Sequence, residues 1–120
     1  MRPELTLAVC TALLLSACGN GHPTPPIARG LPKAPGPTPD FDARLRQRFP
    51  IGSGESELLA ELHAEDFAIR EIRDPSGQTR RTAYYESIVF PCKETWTVSW
   101  VAEQGRVTGI EGKSSGMLCP

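Results

Sequence analysis

The stretch from Glu94 to Ala102 reads ETWTVSWVA and alternates large apolar residues with small polar ones. Alternation with a period of two predicts a β-strand with one buried face, because successive side chains point to opposite faces. Trp96 and Trp100 lie on the same face, about 13 Å apart. We favour an interpretation in which both rings belong to the core. The alternative is an exposed aromatic platform that binds a partner protein or a glycan, since aromatic residues are enriched at binding hot spots.

Turn signals on both sides extend this strand into an antiparallel sheet. The sequence EQG at 103–105 predicts a hairpin from which a strand returns over 106–112. Upstream, 67–72 and 81–90 are further strand candidates, and DPSG at 74–77 between them is a turn sequence. The tail, 113–120, is expected to be coil.

A helix is predicted before the strands. Phe41, Leu45 and Phe49 recur every four residues, with polar residues between them. This spacing is typical of an amphipathic helix over 40–49, with Asp40 as its N-cap and Pro50 at its end.

A second helix is expected to follow, capped by Ser53 and ending near Ala64, with its apolar stripe at Leu58, Leu59 and Leu62. The order of elements predicts an α+β fold. Two short N-terminal helices would pack on one face of a three- to four-stranded antiparallel sheet.

The N-terminus has the features of an exported protein. A charged start is followed by about a dozen apolar or small residues, too few for a membrane-spanning helix, which needs about 20. The run ends in Leu15-Ser16-Ala17-Cys18, which resembles the lipobox of bacterial lipoproteins. That resemblance implies a signal peptide over 1–17 and a diacylated, N-acylated Cys18 as the mature N-terminus. The alternative is an ordinary signal peptide cut elsewhere.

The same resemblance implies a location. Several acyl chains would hold the protein on a membrane, where one chain binds only marginally. Gly19 follows the cysteine. By the sorting pattern of such lipoproteins, it implies an outer-membrane anchor with the protein facing the periplasm.

The segment 19–39 contains seven prolines and four glycines. Such a composition predicts a spacer without regular structure, reaching up to about 60 Å if fully extended as polyproline II. The expected organisation is therefore a signal peptide at 1–17, a lipidated cysteine and linker at 18–39, and a small domain at 40–120.

Of the four cysteines, Cys10 lies in the expected signal peptide and Cys18 is the expected lipidation site, so Cys92 and Cys119 remain for the folded part. Export places them in an oxidising compartment, where a single intramolecular disulfide is the favoured interpretation. Metal binding and a reactive thiol are the alternatives, but no CxxC motif or nearby histidine supplies further metal ligands.

No catalytic constellation stands out. Residues 40–120 carry 10 basic and 13 acidic side chains, a net charge of −3, which does not favour nucleic-acid binding. His63 has Glu61 and Glu65 two residues away on either side, a spacing that does not align ligands on one helical face. We therefore expect no enzyme activity, cofactor, metal site or small-molecule substrate.

The order of elements also resembles the BamE (SmpA/OmlA-type) family of small lipoproteins. This family includes a subunit of the outer-membrane β-barrel assembly machine. The matching features are Phe49-x-x-Gly52-Ser53 before a leucine-rich helix, then Tyr84-Tyr85, a tryptophan-bearing strand and a hairpin. Proteins of the β-lactamase-inhibitor type share this two-helix and sheet unit. The paired cysteines and the proline-rich spacer depart from the pattern.

This resemblance implies a non-catalytic module that is tethered to the membrane and binds an envelope protein. The alternative is an inhibitor of an envelope-directed hydrolase of the lysozyme, protease or β-lactamase type.

Overall fold

The computed structural model describes residues 23–77 and 79–120, so the predicted signal peptide and Cys18 lie outside the described residues. The described residues form an α+β fold, as expected from the sequence. In chain order the elements are a 3₁₀ turn (Pro26–Ala28), β1 (Gly36–Pro37), α1 (Pro39–Arg48), α2 (Glu55–Ala64), β2 (Ala68–Arg73), β3 (Thr79–Val89), β4 (Cys92–Glu103) and β5 (Arg106–Ser114).

The strands form one antiparallel sheet in the order β1-β5-β4-β3-β2, with the tryptophan-bearing β4 at its centre. The prediction of three to four strands was inexact, because the sheet has five. The additional strand, β1, pairs Gly36 with Ser114 and Pro37 with Lys113. Its proline- and glycine-rich sequence does not look like a strand. At an edge, however, a proline is tolerated because its missing N–H need not join the ladder.

The inner face of the sheet, which packs against the helices, carries the core. Trp96, Val98 and Trp100 of β4 are buried there, and the ring of Phe41 from α1 meets Trp96 edge-on at 5.5 Å between centroids. The buried hydrophobic residues are Ile27, Ala28, Leu31, Phe41, Leu45, Phe49, Leu58, Leu62, Phe67, Ala83, Trp96, Val98, Trp100, Val107 and Ile110. The alternation in β4 thus marks the face that packs against the helices.

Residues 23–38, which we call the strap, belong to the folded unit. Ile27 and Ala28 lie in a 3₁₀ turn and are 2% and 1% exposed, and Leu31 joins the same core. The expectation that this stretch has no regular structure is therefore wrong at the 3₁₀ turn and at β1. The prolines exclude long helices and central strands, but they do not prevent isolated apolar side chains from packing on a neighbouring surface.

Hydrogen bonds hold the strap against both helices. The Ile27 N–H donates to Glu65 Oε1 at 2.8 Å, just beyond the end of α2. Arg44 of α1 donates from Nη1 to the carbonyl oxygens of Ile27 and Arg29, at 3.1 and 2.6 Å. The packed unit therefore begins well before Asp40.

Both predicted helix caps are displaced, that of α1 by two residues and that of α2 by one. α1 begins earlier, with Thr38 at the N-cap, so Asp40 lies in the first turn, where its charge favours the helix dipole. For α2 the N-cap is Gly54, and the Ser53 hydroxyl instead donates to the Pro50 carbonyl oxygen at 2.5 Å. The predicted end of α2 at Ala64 is confirmed.

The C-terminal tail is tied to the turn between β3 and β4. This turn contains a cis Phe90–Pro91 peptide bond. Directly after it, Cys92 forms a disulfide with Cys119, with Cα atoms 4.2 Å apart. Lys93 and Leu118 exchange backbone hydrogen bonds of 2.8 and 2.7 Å. The tail is thus pinned as expected, although β5 extends two residues further than the predicted strand.

Candidate interaction surface

β2 forms one outer edge of the sheet and pairs only with β3 within the described residues. All six of its residues are exposed, including Ile69 at 38% and Ile72 at 52%. An edge strand presents backbone N–H and C=O groups that another strand can pair with. β2 therefore offers a protein partner both backbone hydrogen-bonding groups and apolar side chains.

Charged residues lie between and after the isoleucines along β2. Arg70, Glu71 and Arg73 are all exposed, and the Arg70 guanidinium lies 4.9 Å from the centroid of the Tyr84 ring. Charges on an edge strand oppose indiscriminate pairing with other strands. β2 thus carries exposed charges of both signs beside its two isoleucines.

The outer face of the sheet, opposite the helices, is polar. The hydroxyl oxygens of Thr82 and Ser99 lie 3.5 Å apart across β3 and β4. Arg80 and Glu111 form an exposed ion pair at 3.4 Å, of a kind that contributes about 0–1 kcal/mol. This face is one that water can solvate, and Ile72 of β2, the cross-strand neighbour of Arg80, is an exposed apolar residue on it.

An ionic contact fixes the β2–β3 hairpin to α2. Glu55, in the first turn of α2, accepts a hydrogen bond from Trp100 Nε1 at 2.9 Å through one carboxylate oxygen. Its other oxygen pairs with Arg81 of β3. Glu71 of β2 also lies 3.9 Å from Arg81. The edge strand is therefore linked through Arg81 to α2 and to the core tryptophan Trp100.

A buried polar cluster lies on the inner face near the disulfide. Glu94 is 1% exposed, and its Oε2 accepts a hydrogen bond from the Ser114 hydroxyl at 3.2 Å. Ser87 is the cross-strand neighbour of Glu94. Within the described residues, Glu94 Oε1, Ser87 Oγ and Trp96 Nε1 have no hydrogen-bond partner. The cluster is closed to solvent and does not present a carboxylate to a substrate.

Tyr85 joins the start of the strap to β3. Its hydroxyl donates to the Pro23 carbonyl oxygen at 2.8 Å, and its ring lies 5.6 Å from that of Phe67. Burial, with a smaller contribution from the negative charge of Asp66, raises the pKa of Tyr85 above its ordinary value of 10.0. The phenol thus keeps the proton that it donates to the strap.

The structure places the residues that the sequence singled out in different parts of the fold. Trp96 and Trp100 are 0% and 1% exposed, so they are core residues, and the alternative of an aromatic binding platform is wrong. Cys92 and Cys119 form the predicted disulfide. His63 is exposed on the last turn of α2. Across 23–77 and 79–120, no three His, Cys, Asp or Glu residues are arranged to hold a metal ion.

Sequence reasoning missed both the edge position of β2 and the burial of Glu94. A strand's position in a sheet depends on long-range pairing, and the short IREIR pattern gives no indication of it. A signal for Glu94 was present, because Glu94 is in phase with Trp96 and Trp100 and must share their buried face.

The part of the chain that the structure describes contains no helix with the length and apolarity needed to cross a bilayer. No family model matches the chain, and neither a curated protein nor a solved structure matches it significantly.

Proposed function

We propose that this protein is a lipoprotein of the bacterial envelope that is anchored to the membrane through Cys18. Its folded part faces the periplasm and acts as a non-catalytic module that binds a protein partner. The partner pairs with the free edge of β2. The protein needs no cofactor, and its role is to hold or position an envelope component near the membrane, as an assembly accessory does.

The exposed edge of β2 carries this proposal. Its six residues are exposed, while the strand next to it is fastened to α2 through Arg81 and Glu55. Strand addition obtains affinity from backbone hydrogen bonds and specificity from alternate side chains. Ile69 and Ile72 are three residues apart and so lie on opposite faces of β2, and each shares its face with charged residues of the strand.

A hydrolase could occupy the same edge as an assembly component, so the two must be separated by experiment. Photocrosslinking in living cells tests the site directly. A benzophenone amino acid replaces Ile72, which is 52% exposed on β2, and a matched control replaces Ile51, which is 61% exposed in the loop between α1 and α2. Crosslinked products are purified from detergent-solubilised membranes and identified by mass spectrometry.

We expect a discrete crosslinked protein from position 72 and none from position 51. We also expect Ile72→Asp to abolish co-purification of that protein, while Ile51→Asp leaves it intact. Stoichiometric loss of activity of a captured hydrolase would identify the protein as an inhibitor. Equal crosslinking at both positions, or none at position 72, would contradict the proposed site.

The intact mass of the membrane-extracted protein tests the anchor, since a product without lipid at Cys18 excludes it.

A further inference from the structure

The packing of the strap leaves a short connection between the proposed anchor and the folded domain. Pro23, the first described residue, follows Cys18 by five residues. Five residues span about 17 Å at most, since an extended chain rises about 3.3–3.6 Å per residue. The reach of about 60 Å expected for a free spacer is therefore not available. A domain anchored at Cys18 must lie against the membrane surface.

The strap begins nearer to one end of the sheet than to the other. Pro23 accepts the hydrogen bond of Tyr85, which pairs with Trp96 across β3 and β4. Along β4, Trp96 is four residues from Cys92 and seven from Glu103, or about 13 and 23 Å. The short connection therefore favours an orientation in which the turn between β3 and β4 is close to the bilayer.

That end of the domain carries an exposed apolar cluster. Val89, Phe90, Met117 and Leu118, which we call the apolar tip, are 52%, 84%, 38% and 60% exposed. They are four of the seven large hydrophobic residues exposed among the described residues. The disulfide and the Lys93–Leu118 pairing hold the turn and the tail together. Single exposed hydrophobic residues are common, but a contiguous group of them indicates a contact surface.

We infer that the apolar tip docks onto the lipid bilayer that carries the anchor, with Phe90 inserted at the interface. This inference rests on the proposed anchoring at Cys18. It adds a second membrane contact to the acyl chains and fixes the orientation of the domain. The free edge of β2 belongs to the side of the sheet rather than to its tip, so it stays available to a partner.

Depth-dependent fluorescence quenching tests this orientation. The mature protein is extracted from membranes, its intact mass is measured, and it is reconstituted into phosphatidylethanolamine–phosphatidylglycerol vesicles with or without brominated acyl chains. The variants are Phe90→Trp and Leu118→Trp at the apolar tip. Ile51→Trp is the control, because the backbone of the adjacent Gly52 bonds to Val107 at the opposite end of the sheet. The buried Trp96 and Trp100 provide a common background in all variants.

We expect brominated lipid to quench the new tryptophan at position 90 or 118 severalfold more strongly than that at position 51. If the mass shows lipid and the tip tryptophans are quenched no more than the control, the docking inference fails and the proposed function stands. That result would assign the apolar tip to a protein contact instead. If the mass shows no lipid, the anchor fails and the inference fails with it. Leu118→Trp provides an independent reading should Phe90→Trp disturb the turn.

Discussion

The two buried tryptophans of β4 lie in different surroundings at the two ends of the core. The Trp100 indole donates to Glu55, which also pairs with Arg81, so the polar groups around it are satisfied. The Trp96 indole has no hydrogen-bond partner within the described residues, and the same is true of one oxygen of Glu94 nearby. Two residues that look equivalent in the alternating sequence therefore differ in the energy that their polar atoms contribute.

The difference shows how the domain is stabilised along its length. At the Trp100 end, hydrogen bonds to a charged side chain link the sheet to α2, and such bonds contribute about 1.5–3 kcal/mol each. At the Trp96 end, buried polar atoms without partners cost stability. There the disulfide and the strap supply the additional constraint. Four sets of substitutions test this contrast, given below from the largest expected effect to the smallest.

Replacing both Cys92 and Cys119 by serine should lower the free energy of unfolding by roughly 3–4 kcal/mol, as estimated from loop entropy. The disulfide joins residues 27 apart in sequence and closes the Trp96 end. Urea denaturation of the oxidised and substituted proteins measures the loss. A substituted protein of unchanged stability would mean that the strap and the tail pairing hold this end without the covalent bond.

Replacing Trp100 by phenylalanine should destabilise the protein by about 1.5–3 kcal/mol more than the same change at Trp96. Both substitutions remove a similar volume, but only the first deletes a hydrogen bond, the one to Glu55. The comparison of the two urea midpoints isolates that bond. Equal losses would show that Trp96 Nε1 also has a partner, such as a buried water molecule.

Replacing Gly112 by alanine should cost about 1–3 kcal/mol, because the added methyl group overpacks the contact between α1 and β5. A Cβ at this position would overlap the Phe41 ring and lie 2.8 Å from Leu45 Cδ1. Gly109→Ala is the matched control on the same strand, since a Cβ there meets no atom within 4 Å. Thermal melting of both variants measures the difference. Similar melting temperatures would mean that α1 can shift away from the sheet at the Trp96 end.

Replacing Ser87 by alanine should leave stability unchanged or raise it slightly, because the change removes a buried hydroxyl that has no partner among the described residues. Ser114→Ala is its counterpart. Ser114 Oγ bonds both Glu94 and the Gly116 N–H, so its loss should destabilise the protein measurably. Destabilisation of the same size in both variants would contradict the proposed imbalance within the buried cluster.

The local elements of this fold could be predicted where one strong pattern dominates. The period of two in β4 and the period of four in α1 both place apolar side chains on one face, and the structure buries those faces. The disulfide was predicted because the interpretation of the chain as exported left two cysteines for the folded part, and the structure pairs them. The helix caps were less predictable, because several candidate capping residues lie close together: Thr38 takes the position two residues before Asp40, and Gly54 takes the position next to Ser53.

The sequence by itself determined the α+β class, the core face of β4 and the pairing of Cys92 with Cys119. These depend on short-range periodicity and on a count that leaves one pairing. Only the tertiary structure decided that the strap packs on the core, that β2 is the open edge, and that Trp96 lacks the partner that Trp100 has. Each of these depends on contacts between residues distant in sequence. Pattern and propensity describe which side chains favour burial, but not which distant surface covers them.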